Sequence, residues 1–151
     1  MKADLAAFRE LWLPRLNRGA SALLFCEDGP VEVGLHTAIA DEFVSRHGFQ
    51  PIGFNWELLD ASPEAQGKRA ARTQLVEAFS KDIANPSRSW LSDKEAEECA
   101  DAFLALFDPD TLTLVANRYD GLWNPISPTH DQWAYVAFDA ERIALLLLAA
   151  E

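Results

Sequence analysis

Apolar side chains recur about every three to four residues in four segments, which is the spacing of a buried helix face. The segments are 4–16, 38–47, 62–84 and a helix that begins at the capping box Ser92-Asp93-Lys94-Glu95. Asp4 and Thr37 are the expected N-caps of the first two helices. Ser62-Pro63-Glu64 places a serine cap, a proline and a carboxylate in the order that favours the start of the third helix.

Other segments alternate apolar and polar residues, as half-buried strands do. The alternation predicts a β-hairpin across 22–35 and strands at 52–58 and 112–116. Residues 140–150 allow two interpretations, a helix capped by Asp139 or the second strand of a hairpin. The hairpin is favoured because two apolar runs flank the polar turn at 139–142.

These elements predict one α+β domain spanning residues 1–151. We expect a mostly antiparallel sheet of about five or six strands, with three or four helices packed on one face. The longest apolar stretch towards the C-terminus, 143–150, is far shorter than the ~20 residues of a membrane-spanning helix. The N-terminus has no apolar signal segment, and the two cysteines are isolated, so a cytoplasmic protein is expected.

Charge adds a second level of pattern. The chain carries 24 acidic and 13 basic residues, a formal net charge of -11. Residues 89–151 alone hold 12 acidic and 3 basic residues. A field of this sign attracts basic proteins and repels nucleic acid and anionic lipid, so neither nucleic acid nor membrane is an expected partner.

Catalytic motifs do not accompany this charge. The three histidines lack the spacing of a metal site, and neither a Gly-x-Ser-x-Gly elbow nor a glycine-rich phosphate loop is present. We therefore predict no metal, no cofactor and no catalytic residue, and favour a binding protein over an enzyme.

The long connection 117–131 is the segment most suited to recognition, because it mixes aromatic with hydrogen-bonding side chains. Acidic residues that surround its rings and Trp133 would form an interface with aromatic anchors and a charged rim. The structural alternative is that Asp120-Gly121 and Asn124-Pro125 only form turns. The candidate partner-binding residues are Glu97, Glu98, Asp101, Asp108, Asp110, Tyr119, Asp120, Trp123, Asn124, His130 and Asp131.

The stretch Asn117-Arg118-Tyr119-Asp120-Gly121-Leu122-Trp123-Asn124-Pro125-Ile126, followed by Phe138-Asp139 in a small acidic chain, resembles a bacterial protein class. The class comprises the small acidic immunity proteins paired with polymorphic or contact-delivered toxins. The resemblance implies an inhibitor that binds and neutralises a basic toxin or enzyme. Two alternatives stay open: a small-ligand or peptide-binding domain using the Trp-rich 117–133 loop, and a small enzyme with Asp120, His130 and Asp131 at a pocket.

Overall fold

A computed structural model describes residues 2–18, 21–81, 90–119, 122–128 and 132–149. In chain order its elements are α1 (Leu5–Leu16), β1 (Ser21–Asp28), α2 (His36–Arg46), a 3₁₀ turn (Gly53–Asn55), β2 (Glu57–Leu59), α3 (Ala71–Ser80), α4 (Asp93–Leu104), β3 (Thr113–Ala116), β4 (Arg118–Tyr119), β5 (Leu122–Trp123), β6 (Gln132–Phe138) and β7 (Arg142–Ala149). None of the helices in these ranges has the length and apolarity needed to cross a membrane.

Five strands form one antiparallel sheet in the order β1-β7-β6-β3-β2, which confirms the predicted α+β class. The tail is a hairpin, as favoured, and its strands β6 and β7 lie at the centre of the sheet. β1 pairs with β7 along its whole length, from Ser21 opposite Ala149 to Asp28 opposite Arg142. The N-terminal and C-terminal parts of the chain therefore meet side by side.

Helices cover both faces of the sheet. On one face, Tyr135 and Leu146 belong to a core shared with α1, α3 and α4, while on the other face Val136 and Leu145 pack with Phe43 of α2. Three helices thus pack on one face, as predicted, and α2 covers the other face. The reason lies in the central hairpin, which is buried at every position of β6 and thus needs cover on both sides.

The local helix signals were reliable at α1 and α4. The Asp4 carboxylate accepts a hydrogen bond from the backbone N–H of Ala6, as an N-cap does. The predicted Ser92 cap is also confirmed, because the Ser92 hydroxyl accepts a hydrogen bond from Glu95 N–H, and it donates one to the Glu95 carboxylate. In α2, by contrast, Thr37 lies inside the helix and Leu35 holds the cap position.

The third helix begins later than predicted, at Ala71 instead of near Ser62. The Ser62 hydroxyl and backbone N–H both donate to the Asp60 carboxylate, so this side chain does not cap a helix. The backbone of Asp60 bonds to Arg69 and Ala71, which returns the chain to β2 before α3 begins.

The predicted hairpin across 22–35 is wrong, because β1 finds its partner in β7. Residues after β1 instead follow the β6–β7 turn: Gly29 N–H donates to Glu141 and Val31 N–H donates to Ala140. Gly29 has a φ of +139°, a conformation that favours glycine, and it ends the strand at this point.

The predicted strand at 52–58 is a 3₁₀ turn followed by the short strand β2. The Asp41 carboxylate of α2 accepts hydrogen bonds from the backbone N–H groups of Ile52 and Gly53 and from the indole of Trp56. These three hydrogen bonds to one carboxylate hold the backbone in a turn at this point. The alternation of apolar residues in the sequence does not indicate such a turn.

Candidate functional site

The predicted acidic residues of α4 lie on its exposed face. Glu97, Glu98 and Asp101 are all solvent-accessible. Arg72 of α3 pairs with Asp101 through two hydrogen bonds, from Nε at 2.8 Å and from Nη2 at 3.2 Å. The negative charge of this helix face is therefore partly balanced, which the sequence count did not show.

Asp108 and Asp110 lie at the other end of α4, in its connection to β3. The Asp108 carboxylate accepts a hydrogen bond from Asp110 N–H, and Asp108 N–H donates to Asp139. These residues precede β3, whereas Asn124 follows it, and the strand spans about 10 Å. The structure thus places these two acids and the described residues 117–119 and 122–124 at opposite ends of β3.

Buried amide side chains connect the long connection to the first residues of β6. Asn117 accepts a hydrogen bond from Ala134 N–H through Oδ1 and donates to the Asn124 carbonyl through Nδ2. Gln132 accepts from Ile126 N–H at 2.6 Å. Asp120, His130 and Asp131 lie outside the described residues, as do the side chains of Tyr119 and Trp123.

Trp133 does not form the exposed anchor that we expected beside these acids. Its side chain is only 4 % exposed and stacks on the buried ring of Tyr135, with centroids 5.7 Å apart. The Arg118 guanidinium lies 4.5 Å from the centroid of the Trp133 ring. This tryptophan therefore belongs to the core and supports a cation at the surface.

A different set of acids converges at the far end of the sheet. There, a groove of about 270 Å³ lies between the end of β1, the loop that follows it and α2. Val31, Ile39 and Ile143 form its apolar part. We call it the acidic groove, and its charged lining residues are Glu27, Asp28, Glu32, Glu42 and Arg46.

Hydrogen bonds fix two of these carboxylates in the ionised form. Glu27 accepts a hydrogen bond from Arg46 Nη1 at 2.6 Å, which lowers the pKa of Glu27. Asp28 accepts one from Arg142 Nε, also at 2.6 Å, and this bond lowers the pKa of Asp28. Glu32 and Glu42 are exposed, and Glu42 lies 3.7 Å from Arg46. Arg46 thus pairs with Glu27 and Glu42, and Arg142 pairs with Asp28, so two arginines meet the four carboxylates of the groove.

Two exposed apolar side chains belong to the segment between β1 and α2, which contributes Glu32 to the acidic groove. The side chain of Val33, next to Glu32 in the loop, is fully exposed, and Leu35 is about half exposed. Leu35 directly precedes α2, and its carbonyl accepts a hydrogen bond from the backbone N–H of Ile39, which lines the groove. Apolar groups beside a charged groove are the composition of a binding surface.

The sequence does not single out the groove residues, because its acidic excess lies in the last part of the chain, whereas these acids come together only in the folded structure. Glu27, Asp28, Glu32 and Glu42 belong to the half of the sequence that is nearly neutral overall. Pairing of β1 with β7 brings Glu27 and Asp28 to the β6–β7 turn, which carries Asp139 and Glu141. A finer signal was available, because residues 27–42 contain five acidic side chains and neither lysine nor arginine.

Comparison of this chain with protein-family models, curated proteins and solved structures finds no match. Within the described ranges, no three histidine, cysteine or acidic side chains are grouped to hold a metal ion. Burial raises the pKa of the thiols of Cys26 and Cys99. What the described residues offer is an ionised groove with apolar groups beside it, which is chemistry for binding.

Proposed function

We propose that this chain is an acidic protein-binding module and that its acidic groove receives a basic protein. The observation that supports the proposal is the convergence of four carboxylates from β1, the following loop and α2 on one groove. Glu27 and Asp28 lie on β1, and hydrogen bonds from Arg46 and Arg142 hold their side chains in place. Binding of a cationic surface therefore costs little side-chain entropy at these two residues. Val33 and Leu35 supply apolar contact area at the edge.

The form of binding that fits this surface best is immunity-type inhibition. A toxin or enzyme that acts on an anionic substrate carries cationic side chains in its cleft, and a fixed set of carboxylates can occupy them. We therefore propose that the chain neutralises a basic toxin or enzyme of a bacterial system. Two free cysteines, Cys26 and Cys99, are compatible with the reducing cytoplasm as its place of action.

Electrostatic binding of this kind makes a kinetic prediction. Complementary charge raises association rates to about 10⁸–10⁹ M⁻¹s⁻¹ at low salt, against about 10⁵–10⁶ M⁻¹s⁻¹ for uncharged surfaces. Salt weakens the attraction because the Debye length is only about 10 Å at 0.1 M ionic strength. The same partner should therefore bind more slowly as salt is added.

The test is affinity capture from the native host with two variants that change the charge equally. Glu32→Gln/Glu42→Gln alters the groove, and Glu97→Gln/Glu98→Gln alters the exposed face of α4. We expect a basic partner to be retained by the wild type and by the α4 variant and lost by the groove variant, at unchanged melting temperature. Loss with the α4 variant alone would move the interface to α4 and contradict the groove assignment.

A further inference from the structure

The strand β1 lies at one edge of the sheet, where it pairs with β7 on one side only in the described ranges. Ala22 marks the other side, because its N–H and C=O both bond to the side chain of Asn17 and not to β7. Backbone groups of a strand alternate in direction from residue to residue, so those of Leu24 and Cys26 face the same way as those of Ala22. These residues form the outer edge of the sheet.

Side chains from the N-terminal helix region close the first half of this edge. Asn17 Oδ1 accepts a hydrogen bond from Ala22 N–H at 2.9 Å, and Asn17 Nδ2 donates to the Ala22 carbonyl at 3.0 Å. Arg9 Nη1 donates to the Leu24 carbonyl, also at 3.0 Å. Unpaired strand edges invite pairing with other chains, and proteins commonly cover or block them. The first half of β1 is therefore protected against an added strand.

The second half of the edge is open. The N–H of Leu24 and both backbone groups of Cys26 face outward, and among the described residues none of them has a hydrogen-bond partner. Cys26 is partly exposed, and Asp28 at the end of the strand is exposed. This half of β1 thus offers backbone donors and an acceptor to an extended segment of another chain.

The open half ends in acidic side chains. Phe25 packs in the core on the α2 side and Cys26 in the core on the other side, so Glu27 and Asp28 extend to opposite faces in turn. The side chains of Glu27 and Asp28 are 39 % and 63 % exposed. Both also line the acidic groove, so the open edge is continuous with the surface proposed to receive a basic protein.

We propose that the basic partner docks on this edge by adding an extended segment to β1 as a further strand of the sheet. The backbone of the segment pairs with Leu24 and Cys26, and two successive lysine or arginine side chains lie beside Glu27 and Asp28. Main-chain hydrogen bonds supply affinity in this mode of recognition, and side chains supply specificity. The inference rests on the proposed binding of a basic protein, and it adds the conformation in which that protein is bound.

The test is amide hydrogen exchange, measured by NMR, with the peptide acetyl-Thr-Val-Lys-Lys-Val-Thr-amide as the probe. At a peptide concentration about ten times its dissociation constant, exchange at Leu24 and Cys26 should slow about tenfold. Exchange at Leu23 and Phe25, whose N–H groups face β7, should change less. The same peptide with glutamate in place of both lysines should leave exchange at the two edge amides unchanged.

A proline substitution separates backbone pairing from charge. Cys26→Pro removes an N–H that faces away from β7, and proline is found on edge strands in this orientation. Cys26→Ala removes the same thiol and keeps the N–H, so it is the matched control. We expect Cys26→Pro to bind the lysine peptide about tenfold more weakly than Cys26→Ala, as for the loss of one hydrogen bond.

A second probe requires no change in the protein and decides the question if Cys26→Pro does not fold. Methylation of the backbone nitrogens of both lysines in the peptide keeps its charge and removes a donor to β1. This peptide should bind the wild type about tenfold more weakly than the unmethylated one.

Four results would overturn the proposal. They are the absence of saturable binding of the lysine peptide, binding that leaves exchange at Leu24 and Cys26 unchanged, equal slowing by the glutamate peptide, and equal binding of the methylated and unmethylated peptides. The last would mean that charge alone recruits the peptide. None of these results affects whether Glu32→Gln/Glu42→Gln loses the captured partner, so failure at the edge is distinguishable from failure at the groove.

Discussion

Replacing Asp139 with alanine is the sharpest test of how the acidic end of the molecule is held together. The Asp139 side chain is only 1 % exposed. Its Oδ1 accepts hydrogen bonds from Glu141 N–H and Arg142 N–H, and its Oδ2 accepts one from Asp108 N–H, each at 2.8 Å. Lys2 Nζ lies 2.9 Å from Oδ2. One carboxylate thus joins the N-terminus, the end of α4 and the β6–β7 turn.

The magnitude follows from the donors left behind. Each backbone N–H that loses a charged acceptor costs about 1 kcal/mol or slightly more, and the partly exposed Lys2 adds a few tenths. We therefore expect Asp139→Ala to lower the free energy of unfolding by about 3–4 kcal/mol. At this chain length that is a fall of roughly 10 °C in melting temperature.

Asp110→Ala is the matched control, because it removes an exposed carboxylate from the same end of the molecule. Its expected effect lies within about 0.5 kcal/mol. Urea unfolding of both variants and the wild type measures the difference. A change below 1 kcal/mol for Asp139→Ala would refute the argument, since the three backbone bonds would then contribute little.

The same carboxylate makes stability depend on pH. Burial raises the pKa of Asp139, but hydrogen bonds from Lys2 and from the N–H groups of Asp108 and Glu141 outweigh burial and hold its pKa below the usual 3.8. The unfolded chain therefore binds the proton first as pH falls. This stabilisation is complete well above pH 3.8 and is lost as pH falls through the lower folded pKa. Unfolding free energies of Asp139→Ala should decline less steeply over that range.

Three further substitutions test other parts of the structure. Asp41→Ala removes the acceptor of two backbone N–H groups and of the Trp56 indole, and we expect a loss of about 2–4 kcal/mol in urea unfolding. Asn17→Ala removes the side chain that bonds both backbone groups of Ala22 on the edge of β1, and faster amide hydrogen exchange at Ala22 should report it. Val33→Ser should leave the melting temperature unchanged, because the side chain is fully exposed, while weakening partner binding in a capture assay.

Elements with a short-range cause could be predicted from the sequence. The Asp4 and Ser92 caps involve residues within about one helical turn, so the residue order carries the signal. The β6–β7 hairpin was recognisable for the same reason, since its two strands adjoin a short turn at Asp139.

Elements with a distant partner could not be predicted in this way. The sequence around β1 predicts one strand of a local hairpin. In the structure β1 instead pairs with β7, which lies more than a hundred residues later in the chain. The start of α3 depends on Asp60. Its carboxylate accepts a hydrogen bond from the Ser62 hydroxyl, and its backbone forms hydrogen bonds with Arg69 and Ala71. The acidic groove has the same origin, because β1–β7 pairing places N-terminal acids beside the β6–β7 turn.

The most direct measurement of the central claim is the association rate of the captured partner at several ionic strengths. We expect fast association by the wild type that slows steeply with added salt, as in other electrostatically steered complexes. Glu32→Gln/Glu42→Gln should associate more slowly and respond less to salt, while Glu97→Gln/Glu98→Gln should behave like the wild type. A rate that is independent of salt, or unchanged by the two groove substitutions, would contradict recognition through the acidic groove.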